Sequence, residues 1–140
     1  MKIYKSKYNS LPGTSHATVI SLARREYHKI QKRTPRRQAY VKSKYFRKDK
    51  VFVNQFWEHL KQKHPGDQLR RAKLFTCAID LIRHSPHLAD TIYKHDNMNI
   101  GLHRFYGQTK DGLHFCVQIR ENKRTGRKDF VSVFSVPKSK

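Results

Sequence analysis

Leu102-His-Arg-Phe-Tyr-Gly-Gln-Thr-Lys-Asp-Gly-Leu-His-Phe-Cys-Val-Gln-Ile-Arg-Glu121 is the stretch on which the fold turns. Its apolar residues recur with a period of two, the pattern of half-buried strands. Leu102 to Tyr106 predicts one strand, and Gly107 to Gly112, containing Lys110-Asp111-Gly112, predicts a turn. Leu113 to Arg120 predicts the next strand, with Leu113, Phe115, Val117 and Ile119 on one face and His114, Cys116, Gln118 and Arg120 on the other. Asn122 to Lys128, with Gly126, reads as a basic hairpin loop, and Phe130 to Val136 as a last strand ended by Pro137.

Upstream the period lengthens. Phe52, Phe56 and Leu60 stand at i, i+4 and i+8, with Val53 and Trp57 beside them, which predicts an amphipathic helix over Val51 to Lys63 stopped by His64-Pro65-Gly66. Asp67 occupies an N-cap position, and Phe75, Ala78, Ile79 and Ile82 predict a second helix over Gln68 to His84, ended by Ser85-Pro86. Leu88 to Ile100 reads as a short helix or a loop, and it or the N-terminal region is the source of any fourth strand. The expected fold is therefore α+β, with two helices and then a three- to four-stranded antiparallel sheet over residues 51–140. Residues 1–50 are expected to be a basic arm, partly helical or disordered, with a short helix over Ala17 to Gln31 stopped at Thr34-Pro35.

Charge supports that division. The 140 residues carry 31 Lys and Arg against 10 Asp and Glu, a net +21. Residues 1–50 hold 15 basic and 2 acidic residues, while residues 51–140 hold 16 and 8. A chain so charged repels itself unless a polyanion neutralises it, which makes nucleic acid the expected partner. The densest stretch sets Arg24, Arg25, Lys29, Lys32, Arg33, Arg36, Arg37, Lys42, Lys44, Arg47 and Lys48 among Tyr27, Tyr40, Tyr45 and Phe46. Such cations reach phosphates, and such aromatics stack on unpaired bases. Arg70, Arg71, Lys110, Lys123, Arg124, Arg127 and Lys128 extend the candidate interface into the second part.

Several classes are disfavoured. Nothing approaches the roughly 18–20 apolar residues of a membrane span, and Ala17 to Ala23 is too short and polar for a signal-peptide core. Cys77 and Cys116 fit no metal-binding spacing and read as buried thiols in a reducing, cytoplasmic compartment. No P-loop, GxGxxG or HExxH pattern occurs, so neither a cofactor nor a metal is expected. Asp111 with Glu121-Asn122-Lys123 has the acid…Glu-x-Lys form of a metal-dependent nuclease, a minor alternative because two-metal chemistry needs several converging carboxylates.

The sheet itself carries a second chemistry. His103, Arg104, Gln118, Arg120, Glu121 and Ser132 fall on short adjacent strands. His103 or His114 can move protons near neutral pH, and Arg104, Arg120 and Lys128 can clamp a phosphodiester. The run His103 to Glu121, with Phe130-Val-Ser-Val-Phe134, resembles small proteins of phages, plasmids and integrated elements, which in turn resemble the barnase-, colicin- and RelE-like RNases. That resemblance covers residues 51–140 and implies helices followed by an antiparallel sheet. It further implies metal-independent cleavage of RNA through its 2′-OH, a toxin role and a partner antitoxin or immunity protein of acidic character. By the same likeness His103, Arg104, Gln118, Glu121, Lys128 and Ser132 are site positions. The target is expected to be tRNA, mRNA or ribosome-associated RNA, with a non-catalytic nucleic-acid-binding protein of a mobile element as the alternative.

Overall fold

A computed structural model describes residues 2–34 and 38–137. The three strands read from the period-two pattern are present as β5 (Ile100–Gln108), β6 (His114–Asn122) and β7 (Arg127–Ser135), an antiparallel meander. Around them the architecture departs from expectation. The remaining strands are β1 (Tyr4–Lys5), β2 (Tyr40–Ser43), β3 (Asp49–Phe52) and β4 (Asp90–Tyr93), and the seven form one mixed sheet. Its order is β1-β5-β6-β7-β3-β2, with β4 paired antiparallel to β5 on the edge that β1 also uses. The β1–β5 and β3–β7 pairings are parallel. A sheet of three or four antiparallel strands behind two helices is thus corrected to a mixed seven-stranded sheet with four helices among the described residues.

One helix forms as expected, and the other two predicted helices divide for local reasons. Helix α1 (His16–Arg33) forms much as its pattern predicts, because the Ser15 side chain caps the Thr18 amide and Val19, Ala23, Tyr27 and Ile30 make one buried stripe. The predicted helix over Val51 to Lys63 divides: β-branched, fully buried Val51 lies in strand β3, which ends at Phe52, Val53 is the N-cap, and only Asn54–Leu60 is helix α2. The predicted helix over Gln68 to His84 also divides, into α3 (Pro65–Ala72) and α4 (Phe75–His84). Pro65, which needs no amide hydrogen, takes the first helical position, so His64 is the N-cap and Asp67 lies in the first turn. At the break, the Lys73 carbonyl accepts from the Leu11 amide and its ammonium donates to the Gly13 carbonyl. No helix of the described residues is long and apolar enough to cross a membrane.

Residue 50 is not a boundary between an arm and a core. One continuous cluster joins Val19, Ala23, Tyr27, Ile30 and Val41 to Phe56, Phe75, Phe115 and Phe130, with Phe56 stacked on Phe130 at 5.0 Å. The N-terminal strand is held by Asp80, which is 3% exposed. Its Oδ2 accepts from Tyr4 Oη at 3.0 Å and Ser6 Oγ at 2.8 Å, and its Oδ1 lies 2.9 Å from His84 Nδ1. Burial alone would raise this carboxyl, but the donors from Ser6, His84, Tyr4 and the Lys7 backbone outweigh it and hold the group below the usual carboxylate range. The expected stacking platform is also withdrawn: Tyr27 is buried against Trp57, and Tyr45 and Phe46 pack on Phe105 and His103. Both cysteines are buried free thiols, and burial pushes each up to about 11, which keeps them from acting as nucleophiles at neutral pH.

At Gly107 the sheet and α4 come together so closely that an added Cβ would stand 2.6 Å from Phe115 Cζ and 2.9 Å from Leu81 Cδ1. Overpacking of this kind costs roughly 1–3 kcal/mol. Gly107→Ala is therefore expected to lower the unfolding free energy by that amount, seen by circular dichroism as a lower urea midpoint with the m-value unchanged.

Candidate nucleic-acid interface

Strand register sorts the expected catalytic residues onto two faces. Across the sheet Arg104 pairs with Gln118, Gln118 with Ser132, and Leu102 with Arg120, so Arg104, Gln118, Arg120 and Ser132 share the outer face. His103 pairs with Ile119, and Glu121 with Gly101 and Lys128, which places His103 and Glu121 on the inner face with Phe105 and Val117. A bulge at Gln118/Ile119 leaves Val131 without a partner and turns Ser132 toward α3. The six positions accordingly form two clusters, not one.

The inner cluster is a chain of polar contacts through the sheet. His103, 6% exposed, has Nδ1 2.8 Å from Thr91 Oγ1 and Nε2 2.8 Å from Glu121 Oε1. The other Glu121 oxygen is 3.5 Å from Lys128 Nζ, which reaches Asp49 Oδ2 at 2.6 Å. The ring is satisfied with Nε2 donating to Glu121 and Nδ1 accepting from the Thr91 hydroxyl, and Phe46 packs edge-on against it at 5.1 Å. Neither nitrogen is free to meet a substrate. His103, Glu121 and Lys128 are structural in this geometry, and the proton-transfer role expected for His103 has no open path.

The outer cluster lines a groove of about 470 Å³ between the sheet and the α2–α3 corner. Gln118, Arg120 and Ser132 rise from the strands, and His59, Lys63, Arg71 and Lys94 close around them over a floor of Leu102, Val131 and Phe134. Arg71 is fixed by three contacts: Nη1 donates to Ser132 Oγ at 2.7 Å, Nε lies 3.1 Å from Asp67 Oδ2, and the guanidinium sits over the Phe134 ring. No acidic residue lines the groove among the described residues. Arg104 stands outside it, between Asp90 and Gln118 in register, with its Nε buried and unpaired. His114 begins β6, six residues from Arg120 and roughly 20 Å away along the strand.

A larger cationic surface lies elsewhere, formed by three adjoining depressions. Arg24, Arg25, His28, Lys29 and Lys32 repeat on the face of α1 opposite its buried stripe. Lys29 also lines a cavity of about 340 Å³ with Arg33, Arg83 and His84. Arg83 and His84 in turn line a cleft of about 750 Å³ with Lys42, Lys44, Arg47 and Lys48 from the β2–β3 hairpin. Two acids border this belt: Glu26, paired with Lys29 at 2.9 Å, and Asp80, occupied as described. Burial, and then the like charge of Arg33, pull the Arg83 guanidinium below its ordinary value. Arg47 and Lys48 have φ of 56° and 69°, a left-handed conformation that costs side-chain-bearing residues roughly 1–2 kcal/mol each. Tyr45 and Phe46, half-buried against the core, anchor that turn, while Arg47 and Lys48 are exposed.

Of the expected binding residues, Arg24, Arg25, Lys29, Lys32, Arg33, Lys42 and Lys44 thus gather on the belt, and Arg71 joins the groove. Arg70 is 3.8 Å from Asp67, while Lys110, Lys123 and Arg124 lie at turns, Lys123 over the Tyr93 ring. Arg127 is held by Asp129 and Lys128 by Asp49, so neither is available. Arg36 and Arg37 lie outside the described residues. His59, Lys63, Arg83, His84 and Lys94 are additions that sequence reasoning did not single out. Arg83-His84 at a helix end gave no signal of binding, since cations there complement the helix dipole and need no other reason. The acids of the metal-nuclease alternative do not converge: Asp111 bonds the Ser10 amide and hydroxyl in the turn before β6, and Glu121 lies near the far end of that strand, roughly 23 Å from its start.

The two clusters make opposite predictions for substitution. His103→Ala removes a buried partner from both Thr91 and Glu121, and is expected to destabilise the fold by roughly 2–4 kcal/mol. Nucleic-acid affinity per folded molecule, measured by anisotropy below the unfolding transition, is expected to be unchanged.

The chain matches no protein-family model, and no curated protein and no solved structure matches it at significance.

Proposed function

We propose that this protein binds RNA, and that the belt of α1, the α4 end and the β2–β3 hairpin is the binding surface. The observation that carries the reading is the cleft at Arg83: Lys42, Lys44, Arg47, Lys48 and Arg83 surround it, and none of them forms an ion pair among the described residues. Holding five cations together without a counter-charge is unfavourable until an anion enters, and the strained turn adds to that cost. A polyphosphate backbone relieves the repulsion and releases counterions. With Tyr27 buried and Tyr45 and Phe46 packed half-buried against the core, the belt offers phosphate contacts and little stacking surface. Structured, double-helical RNA, recognised through backbone and shape, suits it better than an unpaired strand.

Fluorescence anisotropy with a hairpin RNA over a salt series tests this. Wild type is expected to show a steep negative slope of log K against log salt, and the combined variant Lys44→Gln, Lys48→Gln, Arg83→Gln a slope shallower by about 2–3, since each phosphate contact contributes slightly under one. Lys48→Gly should raise stability by on the order of 1 kcal/mol through relief of the left-handed strain while weakening RNA binding. Equal affinity and slope in wild type and triple variant would overturn the assignment.

A second reading, cleavage of an RNA segment held in the outer-sheet groove, is favoured by one observation: His59 lines that groove with Lys63, Arg71, Arg120 and Ser132. An imidazole could take the 2′-OH proton as the 2′-oxygen attacks phosphorus, with the guanidinium of Arg120 stabilising the phosphorane oxygens. The P–O5′ bond then breaks, the departing 5′-oxygen takes a proton from the Lys63 ammonium, and a 2′,3′-cyclic phosphate is left. Incubation of total RNA with the protein in EDTA should then yield cyclic-phosphate or 3′-phosphate ends, lost in His59→Ala and retained in His103→Asn. Intact RNA with wild type removes this reading and leaves the binding reading in place.

A further inference from the structure

We infer that the protein engages two nucleic-acid segments at once, the belt holding one and the outer-sheet groove a second, and so bridges them. This rests on the binding reading of the belt and extends it. The two surfaces share no lining residue. The Arg83 cleft of the belt lies on the opposite side of the sheet from the groove, while the α1 part of the belt packs beside α3. Helix α4 covers the inner face, where Leu81 meets Gly107 and Phe115, and the belt is built on its C-terminal end. Arg120, Gln118 and Ser132 project from the outer face into the groove.

Both surfaces carry charge that the protein leaves unmatched. In the groove Lys63, Lys94 and Arg120 make no ion pair among the described residues. Ser132 and Asp67 hold Arg71 in one orientation, so part of the site is ordered before any ligand arrives. Duplex DNA is stiff over about 150 base pairs, far longer than this domain, and a duplex RNA of comparable stiffness cannot bend around the sheet to fill both the Arg83 cleft and the groove. Occupation of both therefore requires two segments. Their mutual repulsion is offset by a net charge of +21 between them, which a single short contact would not require.

The test uses 12-base-pair 2′-O-methyl RNA duplexes, which have no 2′-OH to be consumed, labelled separately with a donor and an acceptor dye. Full-length wild type is expected to bind two duplexes per chain and to give energy transfer between the dyes. Lys63→Gln with Arg120→Gln should reduce the stoichiometry to one and the transfer to that of freely mixed duplexes, with circular dichroism confirming the fold. Lys44→Gln, Lys48→Gln, Arg83→Gln should likewise leave one duplex, held by the groove. A wild-type stoichiometry of one overturns the bridging inference, whether transfer is absent or arises from association between chains, and leaves the belt assignment standing. Transfer undiminished in the groove variant also overturns it. No binding by wild type overturns both.

Discussion

Glu121 is the contact on which the sheet's assembly depends. Through it Thr91 of β4, His103 of β5, Lys128 of β7 and Asp49 of β3 become one chain of polar contacts crossing five of the seven strands. Buried ionic groups are costly when unpaired, so these strands are held in a single register: a shift of one residue would turn Glu121 outward and leave His103 and Lys128 without it. The same contacts draw β3 beside β7. That brings the β2–β3 hairpin, and with it half of the cationic belt, against the end of α4.

The division of labour between the two faces follows from that chain. The residues with the most familiar catalytic character, His103 and Glu121, are consumed in holding the sheet, whereas the outer face keeps Arg120, Gln118 and Ser132 open to a groove. The hairpin turn shows the reverse arrangement. Tyr45 and Phe46 are drawn inward by packing, and Arg47 and Lys48 accept a left-handed backbone as a result. Strain of this kind persists where the surrounding structure over-determines it.

Much of the meander was legible because alternation in Leu102 to Arg120 has one physical meaning, a strand with one buried face. Helix α1 was legible in its stripe of Val19, Ala23 and Tyr27, although its burial was not. The split of Val51 to Lys63 was illegible, because Phe52, Phe56 and Leu60 fit a helical period as well as they fit a strand followed by a short helix. The break at Lys73 was illegible too, since the groups that relieve it, from Leu11 and Gly13, lie some sixty residues earlier. Parallel pairing of β1 with β5 and of β3 with β7 leaves no local mark, because it depends on long-range partners.

What the amino-acid sequence determined by itself is the material: a strongly cationic chain, three alternating strands, a capped α1 and two thiols without a metal pattern. Those are properties of composition and short spacing, which operate along the chain. Tertiary structure alone decided which cations remain free, by committing Arg127 and Lys128 to carboxylates and leaving Lys42, Lys44 and Arg83 around an open cleft. It also decided that His103 supports and Arg120 faces outward, although the two lie on strands of the same hairpin. The reason is that burial and partner choice are set by what packs across the sheet, and those neighbours are distant in sequence.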